Sequence, residues 1–248
     1  MKTSIIIPSR LASTRLPQKP LAEILGKSLI MRVYDQAAKV KNADVIVATD
    51  HESIANHVLQ NGGKVVLTSV SHPSGTDRVA EVAAQTNSDI IINLQGDEPL
   101  VDPRQIDELI ELMSRPEVFI GTQCKLIEDG DILFDYNVVK VVRDYQDRAL
   151  YFSRQALPAF RDIPYQNWMG QVAYFRHIGI YGFKRDTLLQ LCSLPQTSYE
   201  KSESLEQLRW MQHGFPVHCV ETSFHSIGVD TPEDLEKVRN YLITEMFR

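Results

Sequence analysis

Four short apolar runs, residues 3–8, 44–49, 64–68 and 89–95, constrain the fold of this chain most, because none alternates strictly between apolar and polar positions. A strand with one solvated face alternates; a strand covered by helices on both faces does not. Helical spacing fills the gaps between the runs. Leu29, Ile30, Val33, Ala37 and Ala38 share one helical stripe, as do Val79, Val82 and Ala83, while Asp102-Pro103 supplies a cap and a first-turn proline ahead of Ile106, Leu109 and Ile110. This alternation predicts an α/β fold with a mainly parallel sheet and crossover helices. From about 118 to 183 the character changes. β-Branched and aromatic residues at 138–142, 149–152 and 178–183 read as mixed or antiparallel strands, and 157–174, with prolines, aromatics and no period, reads as an irregular loop or lid rather than a linker. Helix returns at 204–212, a strand at 217–221, and a last helix at Thr231-Pro232-Glu233-Asp234, where a Thr cap precedes proline and two acids.

Charge decides how the basic residues are read. The 248 residues carry 26 Lys+Arg against 32 Asp+Glu, a net charge of -6, so the whole surface does not attract nucleic acid or an anionic membrane. A local cluster of cations is then a site. The first residues enter a strand at once without a secretory signal pattern, and no apolar run reaches bilayer-spanning length, so a cytoplasmic protein without membrane insertion is expected. Cys124, Cys192 and Cys219 are widely spaced with no Cys-x-x-Cys pair, which predicts reduced thiols, mainly packed in the core.

The cluster lies directly after the first apolar run. Arg10, Arg15 and Lys19 leave that strand on one loop restricted by Pro17 and Pro20, with the hydroxyls of Ser13 and Thr14 between them. Three cations on a restrained loop at a strand end suit a densely anionic ligand, and a nucleoside triphosphate is the candidate. Two other nucleotide signals fail. Gly26-Lys27-Ser28 resembles the end of a Walker A loop, but Leu21 stands where its first glycine belongs, so a turn and helix start are predicted; no Gly-x-Gly-x-x-Gly exists to support a nicotinamide or flavin site.

Carboxylates supply the other half of the expected chemistry. Asp97, behind Gly96 at the end of the fourth run, is placed at the sheet edge where ligands bind; Asp230 precedes the last helix and is not needed for its cap. Magnesium needs only one or two carboxylates plus substrate phosphates, so Asp97 and Asp230 are the candidate ligands of Mg²⁺. Ser74, Thr76 and Arg78 at a predicted helix start suit a base, ribose or phosphate. Arg154 ends a predicted strand with a cation that suits a carboxylated substrate. His177, Glu206 and Gln207 have no distinguishing spacing, and such residues are ordinarily structural.

Together these segments closely resemble the CMP-Kdo synthetases, the 3-deoxy-manno-octulosonate cytidylyltransferases, through almost the whole chain. The landmarks are 10–21, 48–50, 74–78, 95–99, 149–154, 176–181, 205–209 and 228–235. The resemblance implies a Rossmann-like (GT-A-like) nucleotidyltransferase fold and a single cytidylyltransferase domain. Within it, 1–115 would bind the nucleotide, 116–215 would be the β-rich sugar-acid and dimerisation part, and 216–248 a closing strand and helix. It further implies a homodimer and transfer of CMP from CTP to the anomeric hydroxyl of 3-deoxy-D-manno-octulosonate (Kdo) for lipopolysaccharide biosynthesis, with pyrophosphate leaving.

Carried over by position, it puts CTP on Arg10, Ser13, Arg15, Lys19, Ser74, Thr76, Arg78 and Gln95, and Mg²⁺ on Asp97 and Asp230. Arg10, Lys19, Asp97 and Asp230 become the catalytic set, and the sugar acid falls to Gln95, Arg154, His177, Tyr181, Glu206 and Gln207. The chain departs from the family pattern at Ser9, Gln18, Pro73 and Asp77, where alanine, glycine, glutamine and glutamate are usual; fine geometry is affected more than reaction class. Two rival expectations stand beside this one: the same transfer to the 8-amino analogue of Kdo or another acid sugar, and a non-catalytic nucleotide-binding regulator.

Overall fold

Seven consecutive buried residues form the first strand, and the rest of its layer is built outward from it. The structure, a computed structural model, describes residues 1–13, 15–224 and 227–246; Thr14, one of the two loop hydroxyls, lies outside the described residues. The chain falls into two compact units, Met1–Ile110 with Phe224–Arg248, and Glu111–Ser223.

In the first unit the elements are β1 (Thr3–Ser9), the hairpin strands β2 (Glu23–Ile24) and β3 (Lys27–Ser28), α1 (Leu29–Ala37), β4 (Ala43–Thr49), α2 (Glu52–Gln60), β5 (Val65–Leu67), α3 (Gly75–Ala84), β6 (Ile90–Asn93) and α4 (Pro103–Ser114), which carries the chain into the second unit. The order β6-β1-β4-β5 is parallel throughout, with Ile5 opposite both Val45 and Ile92. Ile5, Ile6, Ile7, Ile90, Ile91 and Ile92 are fully buried, which is why these runs show no alternation. Parallel pairing also sends the ends of β1, β4 and β6 to one edge, bringing Arg10, Asp50, Gln95 and Asp97 there together.

Local chemistry closes the helices as expected. Leu25 (φ 47°) and Gly26 (φ 76°) make the two-residue turn between β2 and β3, and Ser28 caps α1 by accepting from Met31 N, so the Walker-like tripeptide is a turn and a helix start. Asp102 Oδ1 accepts from Arg104 N at 2.9 Å at the start of α4.

The second unit contains β7 (Ile120–Leu126), α5 (Gly130–Phe134), β8 (Lys140–Arg143), β9 (Ala149–Ser153), β10 (Phe175–Lys184), α6 (Arg185–Cys192), α7 (Ser198–Glu203), α8 (Gln207–Gln212) and β11 (His218–Glu221). β10 runs antiparallel to β7 and β8, β8 antiparallel to β9, and β11 parallel to β7, the mixed pairing expected of this region. α5, α6 and α7 have no counterpart among the helices expected from the sequence. The helix expected over 204–212 is corrected: Ser204 adopts φ 53°, which ends α7, and α8 starts only at Gln207. Segment 157–174 is irregular but packed. Its Phe160, Trp168 and Met169 lie against Ile127, Leu133 and Tyr174, and Trp168 Nε1 donates to Ile163 O at 2.8 Å. Cys124, Cys192 and Cys219 are free thiols, the first and last buried; burial pushes Cys124 up to about 12 and Cys219 well above its ordinary value, so both remain protonated packing residues.

The last helix, α9 (Pro232–Met246), belongs to the first unit. Its Leu235 and Val238 bury Ile24, Leu29 and Val229, with Leu16 and Ala22 packed against them, so it clamps the cationic loop to the segment bearing Asp230. Among the described residues no helix is long and apolar enough to cross a membrane.

Candidate active site

Apolar packing and one backbone bond bring two distant acids together in the first unit. Val229 N donates to Asp97 O at 2.9 Å, which joins the turn after β6 to the segment before α9. Gly96 is required here: a Cβ at that position would lie 2.9 Å from the Pro8 carbonyl oxygen. Thr231 and Asp234 complete the cap of α9 reciprocally, with Asp234 N donating to Thr231 Oγ1 at 3.2 Å and Thr231 N to Asp234 Oδ2 at 3.1 Å. The Asp230 carboxylate is thereby left out of the cap, as expected.

Between the two acids sits the ammonium of Lys19, 2.7 Å from Asp97 Oδ2 and 3.0 Å from Asp230 Oδ1, while Arg15 Nη2 is 3.1 Å from Asp230 Oδ2. Burial alone would depress the Lys19 pKa, but Asp97 and then Asp230 outweigh it and hold it above its ordinary value. The lysine occupies a point where a cation is favoured by two carboxylates at once. Among the described residues no group of three or more His, Cys, Asp or Glu is arranged to hold a metal, so a divalent ion at this point would take its remaining ligands from the nucleotide or water. The donor set therefore fits Mg²⁺ entering with a polyphosphate.

Around this centre opens a cleft of about 660 Å³ lined by Arg10, Ser13, Arg15, Lys19, Ser74, Arg78, Gln95, Asp97 and Asp230, with Ser9, His72 and Pro73 beside them. Arg10 is exposed and has no ion-pair partner among the described residues, so its charge is available to a ligand. Ser74 and Arg78 are differently placed. The Ser74 hydroxyl donates to Asp77 Oδ2 and accepts from Asp77 N, capping α3. Arg78 is buried, with Nη2 2.6 Å from Asp50 Oδ2 and Nη1 bonded to Thr68 Oγ1. Both residues line the cleft while serving its wall. Thr76 is buried below it, where its Oγ1 accepts from Asn93 Nδ2 at 3.5 Å, and Gln95 Nε2 donates to Asn93 Oδ1 at 3.3 Å. Asp50 and His72, which holds Glu81, are parts of this wall that sequence reasoning missed as site residues; Asp50 stood within a recognised landmark, but His72 had no signal.

The remaining candidates lie in the second unit. His177 packs edge-on to Phe152 and 5.3 Å from the Tyr181 ring, and Tyr181 meets Trp210 at 5.1 Å, centroid to centroid. Thr122 Oγ1 has one hydrogen and two carbonyls, Ile178 O and Ile180 O, to give it to. Its 2.9 Å contact with His177 is therefore donated by Nε2–H, leaving Nδ1 an open acceptor. Burial pushes the His177 pKa down to about 3, so the ring is neutral at pH 7. The Tyr181 hydroxyl and Gln207 Nε2 are buried without a partner among the described residues, and Glu206 Oε1 takes a 2.7 Å bond from Arg209 Nη2. The Arg154 guanidinium is held by the carbonyls of Glu203 and Tyr136 and, among the described residues, by no carboxylate, and it retains hydrogens to donate.

A sequence profile of the cytidylyltransferase family matches residues 4–221. The chain is 47% identical over 249 residues to a 3-deoxy-manno-octulosonate cytidylyltransferase of Geobacter metallireducens, covering 96% of each chain. It is 45% identical over 237 residues to the same enzyme of Cytophaga hutchinsonii, covering 94% of each. It also superimposes on the structure of CMP:2-keto-3-deoxy-manno-octonic acid synthetase complexed with CTP, with a TM-score of 0.93 and 40% identity, over 99% of this chain and 100% of that one. The chain belongs to the cytidylyltransferases, and within them to the 3-deoxy-manno-octulosonate cytidylyltransferase, or CMP-Kdo synthetase, family.

Proposed function

We propose that this protein transfers CMP from CTP to the anomeric hydroxyl of Kdo, releasing pyrophosphate. The observation that carries the reading is the convergence of Arg15, Lys19, Asp97 and Asp230 at one point of a cleft that Arg10 also lines, in a chain of this family. The sugar hydroxyl attacks the α-phosphorus in line, and the bond to the bridging oxygen of the leaving pyrophosphate breaks. Such chemistry needs placement and charge neutralisation more than covalent help. Arg10, Arg15 and Lys19 meet the triphosphate and offset the charge that grows on the leaving group. Ser13, Ser74, Thr76, Arg78 and Gln95 shape the nucleotide side. Mg²⁺ held by Asp97 and Asp230 would neutralise phosphate oxygens and polarise the reacting centre. With those carboxylates so engaged, the Lys19 ammonium would be free to meet the phosphates.

On the acceptor side we assign Gln95 together with Arg154, His177, Tyr181, Glu206 and Gln207. Supporting this are the open valences of the second unit: a neutral His177 Nδ1 that accepts, and a buried Tyr181 hydroxyl and Gln207 Nε2 without partners among the described residues, suited to a polyhydroxylated ligand. The Arg154 guanidinium suits its carboxylate. We further propose one cytidylyltransferase domain built from both units, and a homodimer through the β-rich middle, where Leu126, Leu150 and Tyr199 are exposed. Its place of work is the cytoplasm, where CTP is available.

A pyrophosphate-release panel with Mg²⁺, offering CTP or UTP against Kdo, its 8-amino analogue and sialic acid, tests the reading. Release with CTP and Kdo above all other pairs is expected. Preference for the amine analogue moves the acceptor assignment, and no release with any sugar acid overturns the catalytic reading.

A further inference from the structure

Arg154 is caged in a way that its own role does not require, and the cage is built by two residues outside the assigned site. Lys140 is fully buried, and its three ammonium hydrogens meet three backbone carbonyls: Asp135 O at 2.8 Å, Val138 O at 2.6 Å and Arg154 O at 2.5 Å. It thereby ties the loop after α5 to the end of β9. That loop presents Tyr136 O, which takes the Arg154 Nη1 hydrogen at 3.1 Å. Glu203 closes the other side. Its Oε1 accepts from Ser153 Oγ at 2.6 Å, its Oε2 from Arg154 N at 3.0 Å, and its carbonyl from Arg154 Nε at 2.8 Å.

The arrangement fixes the arginine without spending its charge. Among the described residues the groups that bond the guanidinium are neutral carbonyls, and the Glu203 carboxylate is occupied by a backbone N–H and a serine hydroxyl. Of five guanidinium hydrogens, the one on Nε and one on Nη1 are used; among the described residues both on Nη2 and the second on Nη1 are left for a fork-like bond to a carboxylate. Glu203 is also the last residue of α7, and Ser204 at φ 53° turns the chain directly toward Glu206 and Gln207. One side chain thus sets the register between the strand end bearing Arg154 and the segment bearing those two acceptor candidates.

We propose that Glu203 and Lys140 are positioning residues for the acceptor: they hold Arg154 oriented and free of a competing ion pair, so that it receives the carboxylate of the sugar acid. This rests on the acceptor reading of Arg154 given above. The test is steady-state pyrophosphate release by Glu203→Gln, Glu203→Ala, Arg154→Ala and the double variant Glu203→Ala/Arg154→Ala, with Lys140→Met as a second probe of the cage. Both Glu203 variants are expected to raise KM for the sugar acid about tenfold while kcat and KM for CTP stay within about twofold. The double variant should be no worse than Arg154→Ala alone, because Glu203 acts through that arginine. Lys140→Met should show the same split. If Arg154→Ala raises the acceptor KM but the Glu203 variants do not, or if the two losses multiply in the double variant, the positioning role is overturned and the acceptor reading stands. If Arg154→Ala leaves the acceptor KM unchanged, the acceptor reading of Arg154 itself fails, and the inference with it. The conservative Glu203→Gln keeps the comparison available should the alanine variants or Lys140→Met fail to fold.

Discussion

Gln18 shows how a single position in the cationic loop is governed by backbone rather than by ligand. It adopts φ 52° and ψ 33°, the left-handed region, just ahead of the short 3-10 turn at Lys19–Leu21. A side chain there costs on the order of 1–2 kcal/mol, which glycine avoids at some loss of unfolded-state entropy. Gln18→Gly is therefore expected to stabilise the protein by up to about 1 kcal/mol in urea unfolding, with turnover nearly unchanged. Lys19 next to it belongs to the proposed phosphate site. Its ammonium already fills the point between Asp97 and Asp230, so the nucleotide-free protein should bind Mn²⁺ weakly, as read by paramagnetic resonance. Lys19→Met should raise that affinity while lowering kcat by about 100-fold, through loss of the cation proposed to meet the phosphates. Asp97→Asn should lower turnover by a similar order and should not raise Mn²⁺ affinity. Near-normal turnover in Asp97→Asn would end its assignment as a metal ligand.

At the scale of elements, α9 matters to the site although it lends it no catalytic side chain. Its cap holds the segment that carries Asp230, and its apolar face holds the loop that carries Lys19. Thr231→Ala is expected to cost about 1 kcal/mol of stability through loss of the cap, and Leu235→Ala about 2–5 kcal/mol through loss of packing. Both should also raise the Mg²⁺ concentration needed for half-maximal rate, measured in the same release assay. The caps of α4 and α9 and the starts of α1 and α3 were legible because they depend on residues within one turn of each other. α7 and α8 were not separable by spacing. The break at Ser204 depends on Leu205 being buried and on Glu203 being held by β9, contacts that no local pattern encodes.

For the molecule as a whole, the titration of His177 gives a measurable signature. Its pKa in the folded chain is about 3, below the ordinary value near 6.5, because burial disfavours the charged ring. Between those values the unfolded chain binds a proton that the folded one refuses, so stability falls as pH drops from 6.5 toward 3. The slope is at most about 1.4 kcal/mol per pH unit, and less where the half-buried ring keeps some contact with water. His177→Gln should remove this component from the acid limb of urea-unfolding curves. A limb unchanged by the substitution would show that the ring titrates normally. The two units also show where inference from sequence stops. The covered strands, the caps of α4 and α9, the cationic loop at a strand end and the two acids at their turns were written in the chain, because each depends on residues near one another in it. Tertiary structure alone decided that Lys19 would bridge acids 78 and 211 residues away, that Arg78 would be tied to Asp50, and that Arg154 would be caged by Glu203 and Lys140. Those pairings follow from strand order and from which buried donors must find acceptors, and burial of this kind is a property of the folded chain rather than of any segment.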